Sequence, residues 1–177
     1  MKQYKYEFVF KVTVLGEPAV GKTSLIQRFT QGTFVTNYIA TIGAQFSRYE
    51  MIEDEVYTRL FFWDVAGQRE FTFMRPTFYT GSKAAILVFD LSEPSTFDAL
   101  QSWVDDLFQH TGEIPITVFA NKCDLEHAFE EERLKRWVEE KGFLGYFYTS
   151  AKTGDNVETA FKAIISKLLE MWKSRPK

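Results

Sequence analysis

One short stretch constrains this chain more than any other. Residues 16–23 read Gly-Glu-Pro-Ala-Val-Gly-Lys-Thr and match the phosphate-cradling pattern G-x-x-x-x-G-K-[ST] at every position. Residues 8–15 are β-branched and aromatic with partial alternation, which predicts a strand, and residues 24–29 carry apolar groups at helical spacing. A strand, a glycine loop and a helix in this order form the structural context in which the pattern binds phosphate.

The residue types of the loop explain its chemistry. Backbone N–H groups close around the phosphates, and the start of the helix adds the positive end of a dipole. Lys22 places a charge on the β- and γ-phosphates, and the Thr23 hydroxyl is a ligand for Mg²⁺. The motif leaves open which nucleotide binds and whether it is hydrolysed. The predicted phosphate-binding residues are Glu17, Pro18, Ala19, Val20, Gly21, Lys22, Thr23 and Ser24.

Composition excludes several other classes of protein. The chain has 177 residues, 45% of them hydrophobic, which suits one domain over residues 1–177 with a core of about 8–172. A net charge of −3 argues against a nucleic-acid-binding surface. The single cysteine precludes an intrachain disulfide and favours a reducing compartment, so we expect a cytoplasmic protein. The sequence shows neither a signal-peptide core nor a membrane-spanning apolar run.

Strands and helices alternate along the chain. Residues 84–91 and 115–121 are apolar runs typical of buried parallel strands. Helical patterns follow each of them, over residues 95–110, where Trp103 belongs to the apolar stripe, and over residues 130–141. Residues 45–51 and 56–63 predict a hairpin, which would supply an antiparallel edge strand. The pattern therefore predicts a mostly parallel sheet with helices on both faces.

Ligands bind such sheets at the carboxyl ends of their strands. Four segments follow predicted strands directly, and a polar loop at residues 33–41 is expected to fold over the same edge. These independent segments should therefore meet in one place. They are residues 16–23, 64–68, 121–124 and 149–152.

Three of these segments carry further motifs. Asn121-Lys122-Cys123-Asp124 matches N-K-x-D, residues 64–68 match D-x-x-G-Q, and residues 149–152 contain Ser-Ala-Lys. Over nearly its whole length the chain resembles the Ras-superfamily small GTPases, and among them the Rab-like branch. This resemblance implies an α/β fold, the three-layer α/β/α phosphate-loop G domain. The resemblance also implies a sheet of six strands, mostly parallel, with one antiparallel edge strand.

The base-reading residues follow from guanine chemistry and from the resemblance. A carboxylate can accept hydrogen bonds from two adjacent N–H donors, a pair that guanine offers and adenine does not, so Asp124 selects the base. The resemblance implies that Asn121 braces the base and its loop and that the Lys122 stem lies along the ring. It also implies that Ala151, between Ser150 and Lys152, donates its N–H to the guanine carbonyl.

The resemblance also implies which residues take part in catalysis. They are Gln68, Lys22, Thr41 and Gly67. Asp64 would hold Mg²⁺ through a water, Gly67 N–H would bind the γ-phosphate, and Gln68 would orient the attacking water. Thr41 would close on Mg²⁺ and the γ-phosphate. Phe34 stands where the family places an aromatic ring against guanine, although an ordinary loop anchor is the alternative.

Pro18 departs from the family pattern, because it stands where Ras proteins carry glycine. Proline offers no N–H and fixes φ. Its ring should lie near Gln68, so it could alter how water is positioned or how an activating protein approaches. The sign of that effect does not follow from the sequence.

The arginines suggest a slow enzyme. Arg69 follows Gln68 where Rabs usually have glutamate, and we interpret it as an ordinary surface arginine and not as a built-in arginine finger. Residues 38–40, before Thr41, contain no arginine. We therefore expect slow intrinsic hydrolysis, with a partner supplying an arginine worth roughly 10³ to 10⁵ in rate.

The Rab-like assignment predicts protein partners. Phe46, Trp63 and Phe78 match the aromatic triad through which Rabs display their state to effectors, although three core aromatics are the alternative. GTP should order residues about 36–46 and 64–80, where exchange factors and activating proteins also bind. The helix-face patterns are satisfied by a monomer.

The tail lacks the features of a lipid anchor. Residues 172–177 contain no cysteine for prenylation, and Lys2 excludes N-myristoylation. Either the chain lacks a longer tail or it is an unlipidated relative. Membrane attachment is thus not evident, and peripheral association would need a partner or a missing tail.

The prediction is a GTP-hydrolysing molecular switch with GTP and GDP as substrate and product, Mg²⁺ as cofactor and a role in membrane trafficking or related regulation. One alternative is a pseudo-GTPase module that holds nucleotide with little hydrolysis. Pro18 favours that alternative, whereas Gln68 and Thr41 argue against it. The other alternative is a nucleotide kinase, against which Asp124 argues.

Overall fold

The computed structural model describes residues 5–36, 40–53 and 55–174. Strands alternate with helices along the chain, as the sequence pattern predicts. The strands are β1 (Tyr6–Leu15), β2 (Ala44–Glu53), β3 (Val56–Val65), β4 (Ala84–Asp90), β5 (Ile116–Asn121) and β6 (Gly145–Thr149). The helices are α1 (Lys22–Gln31), α2 (Arg75–Tyr79), α3 (Ser95–Asp98), α4 (Leu100–Thr111), α5 (Glu131–Lys141) and α6 (Val157–Lys173), with a 3-10 helix over Arg69–Met74.

The strands form one six-stranded sheet in the order β2-β3-β1-β4-β5-β6. β2 runs antiparallel to β3, and the other neighbouring strands are parallel. Every residue of β4 is buried, as expected of a central strand covered on both faces. The predicted fold class, including its antiparallel edge strand, is confirmed.

Apolar cores cover both faces of the sheet. The first core takes side chains from α1 and α6, including Leu25, Ile26 and Phe161. The second core takes side chains from α2 to α5, including Trp103 and Leu134. Three layers result, and the open edge at the carboxyl ends of β1, β3, β4, β5 and β6 is where the predicted motifs meet.

The predicted helix over residues 95–110 is interrupted at Ala99, between α3 and α4. Ala99 keeps helical dihedral angles, with φ −75° and ψ −17°. The Ser102 N–H donates to Ala99 O, which is the tighter 3-10 pattern. The helical path therefore continues through a local tightening of its hydrogen bonds.

Candidate active site

The phosphate loop joins β1 to α1 through two glycines that tolerate no side chain. Gly16 has φ +146°, and a Cβ there would lie 2.1 Å from the Val88 carbonyl oxygen. Gly21 has φ +103°, and a Cβ there would lie 2.2 Å from Nδ2 of Asn121. Both positions therefore need glycine for backbone conformation and for space.

Lys22 begins α1 and folds back over the loop. Its Nζ donates to the carbonyl oxygens of Gly16 and Glu17, each at 2.8 Å. Burial lowers the pKa of Lys22 to about 8, although the charges of Asp64 and Glu17 oppose this shift. The loop therefore holds a buried cation at the place where phosphate charge is expected.

Three predicted metal ligands lie together beside Lys22. The Thr23 hydroxyl donates to Oδ2 of Asp64, and Thr41 Oγ1 lies 3.1 Å from Thr23 Oγ1 and 3.3 Å from the same carboxylate oxygen. Asp64 is 3% exposed, and its Oδ1 has no hydrogen-bond partner within the described ranges. Burial raises the pKa of Asp64. Two hydroxyls and a carboxylate with an unsatisfied oxygen suit Mg²⁺, which prefers oxygen ligands.

Asn121 ends β5 and connects three parts of the site. Its Nδ2 donates to Val20 O at 2.8 Å, and its Oδ1 accepts from Thr149 Oγ1 at 3.2 Å and from Ala151 N at 3.3 Å. Asn121 is 1% exposed, so these contacts are shielded from water. The side chain therefore fixes the phosphate loop relative to the loop that follows β6.

Asp124 lies on the exposed side of this arrangement. Its Oδ1 accepts from Ser150 Oγ at 2.6 Å, and Ser150 Oγ in turn accepts from Thr153 N at 3.1 Å. Lys122 has φ +65° and forms an ion pair with Asp90. Burial raises the pKa of Asp90, but hydrogen bonds from Lys122 and from Ser92 outweigh burial and lower it overall.

One cavity of about 650 Å³ is lined by predicted phosphate-binding residues together with predicted base-reading residues. This volume is within the range typical of small-molecule sites. Phe34 lines it and also packs against the core beneath α1 and α6, so both sequence readings of this ring describe its position. The residues lining it include Ala19, Gly21, Thr23, Ser24, Phe34, Thr41, Asn121, Lys122, Asp124, Ala151 and Lys152.

Pro18, Gly67 and Gln68 line an adjoining small cavity, as expected for Pro18 and Gln68. A Cβ on Gly67 would lie 2.4 Å from Pro18 N, so this segment rests directly on the phosphate loop. Oε1 of Gln68 is buried and has no partner in the described part of the chain. The glutamine therefore has an acceptor free for another ligand.

Sequence reasoning missed a cluster beneath this segment. The Trp103 Nε1–H donates to Oε1 of Glu17 at 2.9 Å, and the Arg75 guanidinium carbon lies 3.8 Å from the centroid of the Trp103 ring. Arg75 Nη2 also donates to Gly67 O at 3.3 Å. We call Glu17, Trp103 and Arg75 the switch clamp. The apolar helical stripe predicts that Trp103 is buried, but it gives no sign of these partners.

A second missed residue is Arg28 on α1. Its guanidinium donates to the carbonyl oxygens of Ala151 at 2.7 Å and Lys152 at 2.6 Å. These acceptors are more than a hundred residues away along the chain. Nothing in the local sequence pattern signals this contact.

The aromatic triad is continuous in space. The ring centroid of Trp63 lies 5.9 Å from that of Phe46 and 6.0 Å from that of Phe78. Phe46 is 65% exposed, which rules out the reading of all three as core aromatics. The triad therefore offers apolar surface to the solvent.

Some predictions fall outside the described residues. They concern part of the loop before Thr41, at residues 37–39, and the end of the tail, at residues 175–177. Across the described ranges, none of the helices combines the length and the apolar character needed to cross a membrane.

Comparisons with known proteins identify the family of the chain. A sequence model of the Ras family matches residues 11–170. The chain is similar to "Ras-related protein Rab-7L1" of Homo sapiens, with 37% identity over 92% of this chain and 84% of the relative. It is 36% identical to "Ras-related protein Rab7" of Drosophila melanogaster over 92% of this chain and 82% of the relative. With "Ras-related protein Rab-32B" of Dictyostelium discoideum it shares 38% identity over 94% of this chain and 66% of the relative.

The family match covers most of the chain, and the matched region includes every predicted motif. The chain is a Rab-like small GTPase of the Ras family.

Proposed function

We propose that residues 1–177 form a single G domain that acts as a switch, and that its site residues perform the roles predicted for them. The observation that carries the proposal is that Thr23 and Thr41, whose hydroxyls contact the Asp64 carboxylate, line one cavity together with Asn121 and Asp124. Residues predicted to bind the phosphates, the metal and the base thus border the same cavity.

The base half of the cavity would recognise guanine. Asp124 would accept two hydrogen bonds from the base, and Ser150 holds its carboxylate for that purpose. Ala151 N–H would donate to the guanine carbonyl, while the Lys122 stem and Phe34 would border the ring. Because a site built to hydrogen-bond the N–H groups of one base rejects a base that lacks them, adenine nucleotides should bind poorly.

The phosphate half would bind and orient the reacting group. Lys22 and the loop N–H groups would hold the β- and γ-phosphates, and Gly67 N–H would contact the γ-phosphate. Thr23 and Thr41 would hold Mg²⁺ directly, with Asp64 acting through a water. The bound metal supplies charge neutralisation for phosphoryl transfer.

Gln68 would orient the attacking water with Oε1, which has no partner among the residues that the structure describes. Pro18 lines the same small cavity as Gln68 and supplies no N–H, and residues 38–40 before Thr41 contain no arginine. We therefore propose slow intrinsic hydrolysis that an arginine from an activating protein accelerates.

Residues about 36–46 and 64–80 would be ordered by GTP and released after hydrolysis. Effectors, exchange factors and activating proteins would bind according to this change, with effectors contacting Phe46, Trp63 and Phe78.

By analogy with its Rab relatives, we propose a role in membrane trafficking for a cytoplasmic protein that reaches membranes peripherally. We propose that the chain acts as a monomer.

Competition binding tests the base assignment. Purified protein with Mg²⁺ and labelled GDP is challenged with GTP, ATP and xanthosine triphosphate, alongside Asp124→Asn. Competition by GTP but not ATP, with a shift toward xanthosine in the variant, would support guanine recognition. Equal competition by ATP, or the same preference in the variant, would refute it.

A module that holds nucleotide but hydrolyses it little is the second candidate, and the missing N–H of Pro18 favours it. Single-turnover hydrolysis separates the two when Gln68→Ala and Pro18→Gly are compared with the natural chain. Phosphate release that depends on Gln68 supports the enzyme. Release at background level in all three proteins, even with a cognate activating protein, supports the module.

A further inference from the structure

Arg28 joins the two halves of the nucleotide site. It lies on α1, the helix that starts with Lys22 and Thr23, and its side chain extends to the loop after β6. Nε donates to Ala151 O at 2.7 Å, and Nη2 donates to Lys152 O at 2.6 Å. A single guanidinium therefore bridges the helix of the phosphate site and the loop of the base site.

The geometry around Ala151 is restrained from both sides. Its N–H donates to Oδ1 of Asn121 over an N···O distance of 3.3 Å, and its carbonyl accepts from Arg28. Ala151 is 4% exposed, so water does not compete freely at this peptide. Hydrogen bonds from a charged donor are about twice as strong as neutral ones, and the planar guanidinium fixes the directions of both.

Arg28 is itself anchored on its own helix. Nη1 donates to the carbonyl of Gly32 at 3.1 Å, at the left-handed residue that caps α1. All three of these acceptors are backbone carbonyls. The guanidinium is thus held by the main chain of both elements that it connects. It therefore restrains the distance between α1 and the loop after β6.

We propose that Arg28 is a positioning residue for guanine recognition, holding the Ala151 N–H where it meets the 6-carbonyl of the base. This inference rests on the proposed role of Ala151. Asp124 would read other atoms of the same edge of guanine, the N1–H and the 2-amino group. Its carboxylate accepts from Ser150 Oγ, whereas Arg28 donates to the carbonyls of Ala151 and Lys152. Loss of Arg28 should therefore weaken selection at the carbonyl and leave selection at the amino group intact.

Two nucleotide analogues separate the contributions of the carbonyl and the amino group. 6-Thio-GDP changes only the carbonyl atom of the base, whereas inosine diphosphate lacks only the 2-amino group. Arg28→Met keeps a long apolar stem and removes every donor, and Arg28→Lys keeps the charge but cannot donate to two carbonyls in fixed directions. Arg136→Met is the matched control, because Arg136 is a helical arginine whose Nε donates to a carbonyl of its own helix, that of Glu132.

Dissociation rates of GDP and of each analogue are measured by stopped flow with Mg²⁺ present. In Arg28→Met we expect GDP to dissociate about tenfold faster, and discrimination against 6-thio-GDP to fall by at least about threefold. Discrimination against inosine diphosphate should stay within about twofold of the natural value. Arg28→Lys should be intermediate, and Arg136→Met should match the natural protein.

Equal loss of discrimination against both analogues would overturn the proposal, because it would indicate general loosening. An unchanged 6-thio-GDP ratio would overturn it as well. If Arg28→Met does not fold in a thermal melt with GDP, the ratios of Arg28→Lys decide by the same criteria. Failure of the natural protein to prefer GDP over ADP would instead refute guanine recognition itself, so the two failures are distinguishable.

Discussion

Trp103→Phe tests whether the switch clamp positions the segment that receives the γ-phosphate. Trp103 is 2% exposed, and its indole connects Glu17 of the phosphate loop with the guanidinium of Arg75. Arg75 in turn donates to Gly67 O, the carbonyl next to Gln68. Phenylalanine keeps an aromatic ring but removes the N–H donor and weakens the attraction for the cation.

The size of the effect follows from these contacts. Losing a 2.9 Å hydrogen bond to a partly buried carboxylate should cost about 1.5 kcal/mol, because water replaces part of it. The weaker cation–π contact adds about 0.5 kcal/mol. If this sum of about 2 kcal/mol is needed to hold Gly67 and Gln68 in place, hydrolysis slows by about tenfold to thirtyfold.

Single-turnover hydrolysis of GTP, measured as phosphate release, is the assay, with GDP dissociation measured in parallel. GDP has no γ-phosphate and needs no contact with Gly67, so its dissociation rate should change by less than about threefold. Trp137→Phe is the matched control, because the Trp137 indole N–H donates to Gln101 Oε1 at 3.2 Å, and neither residue lines the cavity.

Hydrolysis within about twofold of the natural rate would refute the reasoning, because the clamp would then contribute less than about 0.5 kcal/mol. An equal decrease in Trp137→Phe would point to a general loss of stability. A rise in GDP dissociation as large as the fall in hydrolysis would place the defect in the phosphate loop and not in the segment after β3.

Two further predictions concern the phosphate side of the site. Gly67→Ala should reduce single-turnover hydrolysis by about a hundredfold or more, while calorimetry shows that GDP binding is retained. The new Cβ would lie 2.4 Å from Pro18 N and 2.6 Å from Glu17 C, so it would displace a γ-phosphate donor. Unchanged hydrolysis would contradict this prediction. In the free protein burial lowers the pKa of Lys22 to about 8, and bound phosphate should raise that pKa. GDP affinity should therefore fall by about fourfold between pH 7 and 8.5, because the lysine of the free protein loses its proton over this range. Titration calorimetry checks this, with a flat profile expected for Lys22→Arg and a flat profile in the natural protein contradicting it.

The fold was predictable because its signals are local. β4 is an unbroken apolar run and is buried throughout, and the hairpin of β2 and β3 follows from alternating residues around a short polar turn. Element boundaries moved by one or two residues, and the helix after β4 tightened at Ala99. Such details depend on competing hydrogen bonds that a periodic pattern does not encode.

The residues that escaped prediction act over long sequence separations. Arg28 and Trp103 reach partners 123 and 86 residues away, respectively. A helical pattern shows that Trp103 belongs to a buried stripe and that Arg28 does not, but it cannot identify the carbonyl or carboxylate each one meets. Side-chain contacts of this kind depend on the register between elements, which only the folded sheet determines.

The two strongest motifs prove to be physically dependent on each other. In the sequence, the glycine at position 21 is explained by the phosphate loop alone. In the structure its missing Cβ also makes room for the Asn121 amide, which would otherwise lie 2.2 Å away and which donates to Val20 O. A side chain at position 21 would therefore displace Asn121 and, through it, Ala151. Phosphate binding and base reading share one packed junction, so damage to either motif should affect both.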